Sequence, residues 1–287
     1  MTAGDDHALC EGERVNVYIS IDMEGVAGIS TREQCRRGAS DYELGRRLMT
    51  GEANAAIAGA FDAGAARVVC NDAHADMANL LPEELDPRAE VILGSPKIGY
   101  SMMEGVDAEF AVALFVGYHA GAGEPAAILA HTYSGASFYQ VRLNGAPVTE
   151  AELNGLVAGA HGVPVGLVTG DHAICAIAEA RLPGVRTAAV KRSFSFTVGS
   201  SMHPERAREV IRNAAAETVS RAGELAPFAK TGPFILEVDF TDMRRAELCG
   251  LVPGSERDGR TVRFSSSDYL EVFRCLRAWL HLAQAAS

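Results

Sequence analysis

Short apolar runs alternate with longer amphipathic segments up to about residue 192. The runs at 15–21, 67–70 and 110–116 have the length and composition of buried strands. The segments at 41–64 and 149–162 have the apolar spacing and the capping residues of helices. Strand, helix and strand in this order predict parallel strands joined by right-handed crossovers.

The pattern changes after residue 192, where charged amphipathic helices accompany alternating strands. Helices are predicted at 203–223 and 267–285, and strands at 234–240 and 261–264. We therefore expect an α/β fold with a mostly parallel sheet flanked by helices and a smaller C-terminal α+β subdomain. The expected divisions are a flexible tail, a main α/β domain that holds the candidate site, and a C-terminal subdomain, at 1–13, 14–192 and 193–287.

The acidic charge balance narrows the classes of function. Asp and Glu outnumber Lys and Arg by 37 to 26, a formal net charge of −11. A general nucleic-acid binder is excluded, because there is no excess of positive charge to neutralise phosphates. No apolar stretch approaches the roughly 20 residues of a membrane span, and the polar N-terminus does not resemble a signal peptide. We expect a soluble cytoplasmic protein with neither nucleic-acid nor membrane partners.

The six cysteines are scattered, with no CxxC pair and no zinc-finger spacing. They are expected to be reduced and structural. Cys70 ends an apolar run beside polar residues and is the one candidate for a catalytic thiol. A buried cysteine in a strand is the competing interpretation.

Metal-competent side chains follow three of the predicted strands, with Asp22 and Glu24 after the first, His74 after the second and His119 after the third. Because side chains alternate along a strand, Asp22 and Glu24 point the same way about 7 Å apart, and a divalent cation would relieve their repulsion. In open α/β sheets, ligands bind beyond the carboxyl ends of the strands. The segment at 20–25 is therefore a candidate metal site, and the alternative is a polar turn with two solvated acids.

His131 and Glu150 extend the candidate set. Glu150 begins a predicted helix, where the helix dipole favours an acid even without a function. Carboxylates and imidazoles without thiolates fit Zn²⁺, Mn²⁺ or Co²⁺, and two histidines with three acids suffice for two ions bridged by one carboxylate. Two such ions would hold a hydroxide at neutral pH and polarise a carbonyl or phosphoryl oxygen. These residues predict metal-assisted hydrolysis.

The remaining histidines have simpler interpretations. His172, beside Asp171 at a strand end, is a candidate for contact with a substrate or with a metal ligand. The others are expected at the surface or at helix ends, namely His7, His161, His203 and His281. No glycine-rich dinucleotide loop and no P-loop occurs, so no nucleotide cofactor is indicated.

An ordered series of short motifs resembles the zinc-dependent D-aminopeptidases of the dipeptide-operon type. The series comprises Ser-x-Asp-x-Glu-Gly at 20–25, Asn-Asp-Ala-His at 71–74, Gly-Tyr-His-Ala at 117–120, His131 and Pro-Val-Thr-Glu at 147–150. Weaker matches reach 251–254. The resemblance implies a self-compartmentalising aminopeptidase that hydrolyses the N-terminal residue of short D-amino-acid peptides by a metal-activated hydroxide.

The resemblance also implies two zinc ions per subunit. The matching positions are a bridging Asp22, Glu24 with His119 on one ion, and His74 with Glu150 on the other. His131 resembles a further catalytic residue, which acts in the family as a nucleophile. We expect it instead to donate a proton or to stabilise the oxyanion, because a metal-activated hydroxide is the better attacker. The family forms a ring-shaped decamer whose narrow entrances admit short peptides, so a homodecamer is expected.

Three departures from the family pattern bear on the substrate and the ligands. Residues 193–196, Ser-Phe-Ser-Phe, replace a more polar segment and imply a more apolar pocket. The loop at 120–127, with two glycines and a proline, implies altered access beside His119. Glu152 is a second candidate for the position of Glu150. Two other functions stay open: a binuclear-metal hydrolase of a non-peptide amide, and a catalytically silent metal-binding assembly protein.

Overall fold

The computed structural model describes residues 15–286, which form two β-sheets and the helices packed on them. The larger sheet is mostly parallel and the smaller sheet is antiparallel. The predicted α/β fold class is confirmed. The predicted tail at 1–13, with His7 and Cys10, lies outside the described residues.

The strands follow the predicted apolar runs closely, and the runs at 15–21, 67–70 and 110–116 correspond to the first, second and fourth strands. In the described residues the strands are, in chain order, β1 (Asn16–Ile21), β2 (Arg67–Asp72), β3 (Glu90–Ile92), β4 (Val112–Tyr118), β5 (Phe138–Leu143), β6 (Ala146–Pro147), β7 (Val165–Asp171), β8 (Arg186–Ser193), β9 (Gly199–Ser201), β10 (Phe234–Phe240), β11 (Glu256–Asp258) and β12 (Thr261–Ser266).

The longer helices also lie where the apolar spacing predicts them, within a few residues at each end. In the described residues the helices are α1 (Arg32–Cys35), α2 (Tyr42–Asp62), α3 (Glu150–Ala160), α4 (His172–Arg181), α5 (Pro204–Val219), α6 (Met243–Cys249) and α7 (Tyr269–Ala285). A short 3-10 turn lies at Ser101–Met103.

The order of strands in the larger sheet is β3-β2-β1-β4-β7-β8-β9. All neighbouring pairs are parallel except β8 and β9. β1 therefore lies between β2 and β4, and the carboxyl ends of these three strands are adjacent. Three loops therefore leave the sheet close together at this edge. In open parallel sheets, ligands bind beyond the carboxyl ends of the strands.

Side chains of β1 alternate between two hydrophobic cores. Val17, Ile19 and Ile21 belong to the core that contains residues of α2 and α5. Tyr18 belongs to the opposite core, which contains residues of α3, α7 and the smaller sheet. With both faces covered, the strand is buried throughout its apolar length, as expected for a parallel sheet.

The smaller sheet has the order β11-β12-β10-β5-β6. Its hairpin β5–β6 turns at Asn144 and Gly145, which both have positive φ and occupy the predicted turn. The sheet takes strands from both sides of residue 192, so the division into 14–192 and 193–287 stays a prediction.

The described cysteines are all buried and free: Cys35, Cys70, Cys175, Cys249 and Cys275. Cys70 packs in the same core as the Ile19 side of β1, and burial raises the pKa of its thiol well above the ordinary value. This environment is that of a structural cysteine rather than of a reactive thiolate. Among the described helices, none has the length and apolarity needed to cross a membrane.

Candidate metal centre

Five polar side chains meet at the carboxyl ends of β2, β1 and β4. Asp22 and Glu24 follow β1, His74 follows β2, and His119 follows β4 directly. Glu150 comes from the first position of α3, which approaches the same edge of the sheet. All five are buried. The structure thus brings together every metal ligand predicted from the resemblance, in a cluster called the carboxylate–histidine cluster below.

Asp22 lies between the two imidazoles. Its Oδ1 atom is 3.1 Å from Nδ1 of His74, and its Oδ2 atom is 3.3 Å from Nε2 of His119. Glu24 Oε2 lies 2.9 Å from the same nitrogen of His74, and Glu150 Oε1 lies 3.6 Å from the same nitrogen of His119. Each imidazole therefore faces two carboxylates, and Asp22 is common to both.

Backbone carbonyls fix the orientation of both imidazoles. Nε2 of His74 lies 2.8 Å from the carbonyl oxygen of Cys35, and Nδ1 of His119 lies 2.9 Å from that of Ala120. A carbonyl oxygen only accepts, so these two nitrogens carry the hydrogen in the neutral rings. The other nitrogen of each ring faces carboxylate oxygens, which outweigh burial and raise the pKa of both imidazoles. A main-chain acceptor on one nitrogen, with the other left to face the ligand site, is the arrangement that metal-ligating histidines adopt.

One nitrogen is left without a hydrogen bond by this arrangement. Nε2 of His119 is buried and has no hydrogen-bond partner among residues 15–286. A buried polar atom without a partner is costly unless an ion or a water satisfies it. The donor atoms around it are carboxylate oxygens and imidazole nitrogens, which suit zinc. The residues present therefore fit a zinc site.

Several ligand atoms are close enough to share an ion. Three groups each have ligand atoms within 4.8 Å of one another: Asp22 with Glu24 and His119, His119 with His131 and Glu150, and Glu24 with Cys35 and His74. Glu24 and His119 each occur in two of these groups, so the groups form one continuous cluster rather than separate sites.

Burial and charge oppose each other at the three carboxylates. Burial alone would raise the pKa of Asp22, but its contacts with His119 and His74 hold that pKa below the ordinary value. The charge of His74 likewise outweighs burial and lowers the pKa of Glu24. Burial raises the pKa of Glu150 to about 7. Concentrated negative charge in a buried site favours the binding of cations.

Glu150 and Glu152 have different roles, although both lie in the first turn of α3. Oε1 of Glu150 accepts a 2.6 Å hydrogen bond from the backbone N–H of Tyr133 and points at His119. Glu152 forms a capping box with Thr149 and an ion pair of 3.0 Å with Arg181. The structure thus places Glu150, and not Glu152, in the carboxylate–histidine cluster.

His131 lies beside the cluster. Its ring stacks on His119 with 4.2 Å between ring centroids, and its Nδ1 donates to the carbonyl oxygen of Leu129 at 2.7 Å. Nε2 is left with a lone pair. Burial and the neighbouring His119 lower the pKa of His131 below its ordinary value. The ring lines both cavities that open onto the cluster.

Two glycines allow the backbones at the ends of β1 and β4 to come into direct contact beside the cluster. The N–H of Gly25 donates to the carbonyl oxygen of Gly117 at 2.8 Å. A Cβ atom on Gly25 would lie 2.0 Å from the carbonyl oxygen of Tyr118, and Gly117 has a φ of +67° that side chains rarely adopt. Only glycine fits at both positions, and this contact sets the separation of Asp22 from His119.

Two buried lysines hold the same strand ends, and sequence reasoning gave neither a role. Nζ of Lys191 donates to the carbonyl oxygens of Glu24, Val26 and Ile29. Nζ of Lys97 donates to Asn71 and, at 2.5 Å, to the carbonyl oxygen of Asp72. The sequence offered one signal, because Lys191 is a charged residue at the end of the apolar run 187–191. An ammonium group buried there needs hydrogen-bond acceptors.

A cavity of about 670 Å³ and one of about 420 Å³ adjoin the cluster on different sides. The larger one is lined in part by Phe196 and Gly123. Both segments that differ from the family pattern, 193–196 and 120–127, therefore reach it. The smaller one extends towards Met102 and α7. Both volumes are in the range that holds small ligands.

The other histidines stand outside the cluster. His172 is exposed and accepts from the backbone N–H of Ser193 at 3.3 Å. The rest occupy ordinary structural positions, with His161 packed edge-on against Tyr100, His203 as the N-cap of α5, and His281 beside Arg277. Within 15–286, none of these four belongs to a group of three or more His, Cys, Asp or Glu residues whose ligand atoms lie close enough to share a metal ion.

The sequence and the fold both match known peptidases. The D-aminopeptidase family matches residues 15–278. A D-aminopeptidase of Bacillus subtilis (strain 168) is 36% identical over 277 residues, which are 95% of this chain and 99% of that protein. The solved structure of the Zn-dependent D-aminopeptidase DppA from Bacillus subtilis, a self-compartmentalizing protease, superimposes with a TM-score of 0.89 and 35% identity, over 94% of this chain and 98% of that one.

These matches extend over both sheets and confirm the resemblance first indicated by the motif at 20–25. They run through the segments that carry all five cluster residues and His131. A chain so similar in sequence over almost its whole length, and in backbone over the same span, is a member of the D-aminopeptidase family.

Proposed function

We propose that this protein is a zinc-dependent aminopeptidase that removes the N-terminal residue from short peptides of D-amino acids. Family membership supports the reaction, and the Bacillus relative is a Zn-dependent D-aminopeptidase. The observation that carries the proposal is the pair of imidazoles, each fixed by a backbone carbonyl and each directing its second nitrogen at buried carboxylates. Neither of the two other hypotheses, a non-peptide amide hydrolase or a silent assembly protein, is favoured by these matches.

The carboxylate–histidine cluster would hold two zinc ions per subunit. Asp22 would bridge them, because its two oxygens face different imidazoles. The family resemblance assigns Glu24 and His119 to one ion and His74 and Glu150 to the other. In the structure, Glu24 also contacts His74, and Glu150 also lies near His119. The proximity of Asp22, Glu24 and His119 supports the first of these sets.

When bound, zinc supplies Lewis acidity towards the scissile carbonyl oxygen and favours ionisation of water. The residues of the chain supply orientation and proton transfer. His131 is neutral near pH 7, because its pKa is lowered, and its Nδ1–H is occupied by the carbonyl oxygen of Leu129. Its Nε2 can take a proton from the attacking water and deliver it to the leaving amino group, which makes it a general base and then a general acid.

Metal removal tests the proposal. Dialysis against a chelator should abolish release of D-alanine from D-Ala-D-Ala, and zinc should restore it. Asp22→Asn should lower both bound zinc and kcat/KM, the latter by about a thousandfold or more, since it removes the shared ligand. Asp41→Asn is the matched control, because Asp41 is an exposed acid outside the cluster. Undiminished hydrolysis by the metal-free protein would contradict the proposal.

Assembly and location form a further part of the proposal. The Bacillus relative is self-compartmentalizing, and we infer that this chain also forms a homo-oligomer, with a ring-shaped decamer as the expected form. A cytoplasmic location agrees with the free thiols of the described cysteines, because disulfides are rare in reducing compartments.

A further inference from the structure

Three arginines line one wall of the larger cavity, although the chain as a whole has a net charge of −11. They are Arg32, Arg36 and Arg37, from α1 and the residues after it. The acidic residues that line the same cavity are Glu24, which belongs to the carboxylate–histidine cluster, and Asp76. Apart from Glu24, the lining of this cavity therefore carries more positive than negative charge.

Asp76 neutralises only one of these arginines. Arg37 pairs with Asp76 and also donates to the carbonyl oxygen of Ala78 at 2.8 Å. The guanidinium of Arg32 lies over the ring of Phe196, 5.5 Å from its centroid, and has no ion pair in the described chain. Arg36 has neither a side-chain hydrogen bond nor an ion pair with any residue of 15–286. Two positive charges on this wall are left without a counter-charge.

Both free arginines are attached to elements that also orient the cluster. Arg36 follows Cys35, whose carbonyl oxygen accepts from His74 at 2.8 Å. Phe196, under Arg32, accepts at its carbonyl oxygen from the N–H of Leu129 at 2.8 Å. Leu129 in turn accepts from His131. Hydrogen bonds of Cys35 and of Phe196 thus connect the surroundings of these guanidinium groups to His74 and His131.

The substrate class of the proposed function supplies a suitable anion. A short peptide that places its N-terminal residue at the cluster extends its other end into the cavity, and that end is an α-carboxylate. We propose that Arg32 and Arg36 bind the C-terminal carboxylate of a dipeptide or tripeptide and thereby select short peptides with a free C-terminus. The guanidinium fork matches a carboxylate in shape and charge. This inference rests on the proposed function.

The apolar part of the same wall fits such a peptide. Phe196 lines the cavity next to Arg32, together with Leu129, Ala130 and Phe138. These side chains offer contacts to small apolar side chains such as those of alanine. The segment at 193–196, which differs from the family pattern, therefore contributes to the proposed site. Its Phe196 lines the cavity and also lies under the guanidinium of Arg32.

The test compares D-Ala-D-Ala with its C-terminal amide. The wild-type protein should hydrolyse the free acid with a kcat/KM about tenfold above that of the amide, mainly through KM. Arg32→Met with Arg36→Met should lower that ratio to about one, chiefly by raising KM for the free acid. Arg47→Met is the control, because Arg47 is exposed on α2 and does not line the cavity. A ratio equal in the double variant and the wild type would overturn the assignment.

Binding of non-hydrolysable analogues separates this inference from the proposed function. Reduced-amide analogues of the dipeptide acid and of its C-terminal amide are titrated calorimetrically into the zinc-loaded protein. Tighter binding of the acid, lost in the double variant, supports the carboxylate site even if neither peptide is hydrolysed. Hydrolysis of both peptides with no preference for the acid overturns the carboxylate site and leaves the peptidase assignment standing. If neither analogue binds, the carboxylate site is also overturned.

Discussion

Main-chain carbonyl oxygens help to orient both histidines of the cluster and His131 beside it. His74, His119 and His131 each place one ring nitrogen 2.7–2.9 Å from a carbonyl oxygen. A main-chain acceptor cannot titrate or rotate away, so the tautomer of each ring is fixed by the fold itself. The ring nitrogens that face the site are thus oriented before any ion binds, which lowers the cost of organising it.

The two glutamates of the first turn of α3 provide a matched pair of variants. Glu150→Gln should reduce bound zinc to about one ion per chain, because it removes a carboxylate proposed to ligate the same ion as His74. Glu152→Gln should keep both ions and lose only about 1 kcal/mol of stability or less, since Glu152 forms a capping box and a part-exposed ion pair with Arg181. Zinc analysis by mass spectrometry of both purified variants checks this. Equal zinc loss in the two variants would contradict the assignment.

Sequence reasoning reached the ligands but not their supports. Asp22 and Glu24 were predictable because alternation along a strand makes them point together. Glu150 could not be separated from an ordinary helix-start acid until its contact with His119 was seen. The lysines Lys97 and Lys191 gave no signal of their targets, because they bind carbonyl oxygens, which every residue has.

At the scale of elements, the close contact between the ends of β1 and β4 sets the geometry of the site. Gly25→Ala should cost about 3 kcal/mol, because its Cβ would lie 2.0 Å from a carbonyl oxygen of the neighbouring strand. It should also reduce zinc binding, since Asp22 and His119 would be pushed apart. Urea unfolding and zinc analysis measure the two effects.

Gly223→Ala is the control for that variant. Gly223 lies in a 3-10 turn with nothing within 4 Å of an added Cβ, so a change of about 0.5 kcal/mol or less is expected. If both substitutions had the same small effect, the close approach of the two strands would not be needed for the site.

Lys97 links the segment after β3 to the end of β2 and makes stability depend on pH. Burial lowers its pKa from the ordinary 10.5 to about 8. Between these two pKa values the unfolded chain holds the proton of Lys97 more often than the folded chain does, so Lys97 makes the free energy of unfolding rise with pH. Below about pH 8 the lysine is protonated in both states, and its unfavourable contribution no longer changes with pH. Lys97→Met should remove that part of the rise. Urea midpoints at about pH 7 and about pH 9.5 measure it.

Lys230→Met serves as the control for the pH experiment, because Lys230 is exposed. Its removal should leave the pH dependence of the wild type unaltered. A Lys97→Met variant whose midpoint rises with pH as steeply as that of the wild type would show that Lys97 is not the source.

Long, strongly patterned elements were predictable and short ones were not. The larger sheet followed from apolar runs joined by helices, because a parallel strand buried on both faces is apolar throughout. The short elements β9, α1 and β11 contain few apolar residues and were missed. The pairing of β5 with β10 joins residues about a hundred positions apart, and no local pattern encodes it.

At the scale of the whole molecule, the cluster lies where three parallel strands end and two cavities meet. The residues of the cluster come from the loops after β1, β2 and β4 and from the start of α3, so the site is assembled from residues spread over positions 22–150. The positive wall of the larger cavity comes from α1 and is supported by Phe196, which is distant from it in the sequence. That juxtaposition depends on the fold, so the sequence motifs could not reveal it.

Native mass spectrometry tests the expected assembly. A homodecamer of a 30.3 kDa chain has a mass of about 300 kDa. If narrow entrances restrict access, peptides of about ten residues should be cleaved far more slowly than dipeptides by the assembled protein. A monomer at micromolar concentration that cleaves long and short peptides equally would contradict the compartment.

Anomalous diffraction at the zinc edge, from crystals of zinc-loaded protein, tests the central claim most directly. We predict two peaks per chain, one on each side of Asp22, with Glu24 and His119 around one and His74 and Glu150 around the other. A single peak, or none among these five residues, would contradict the two-zinc site.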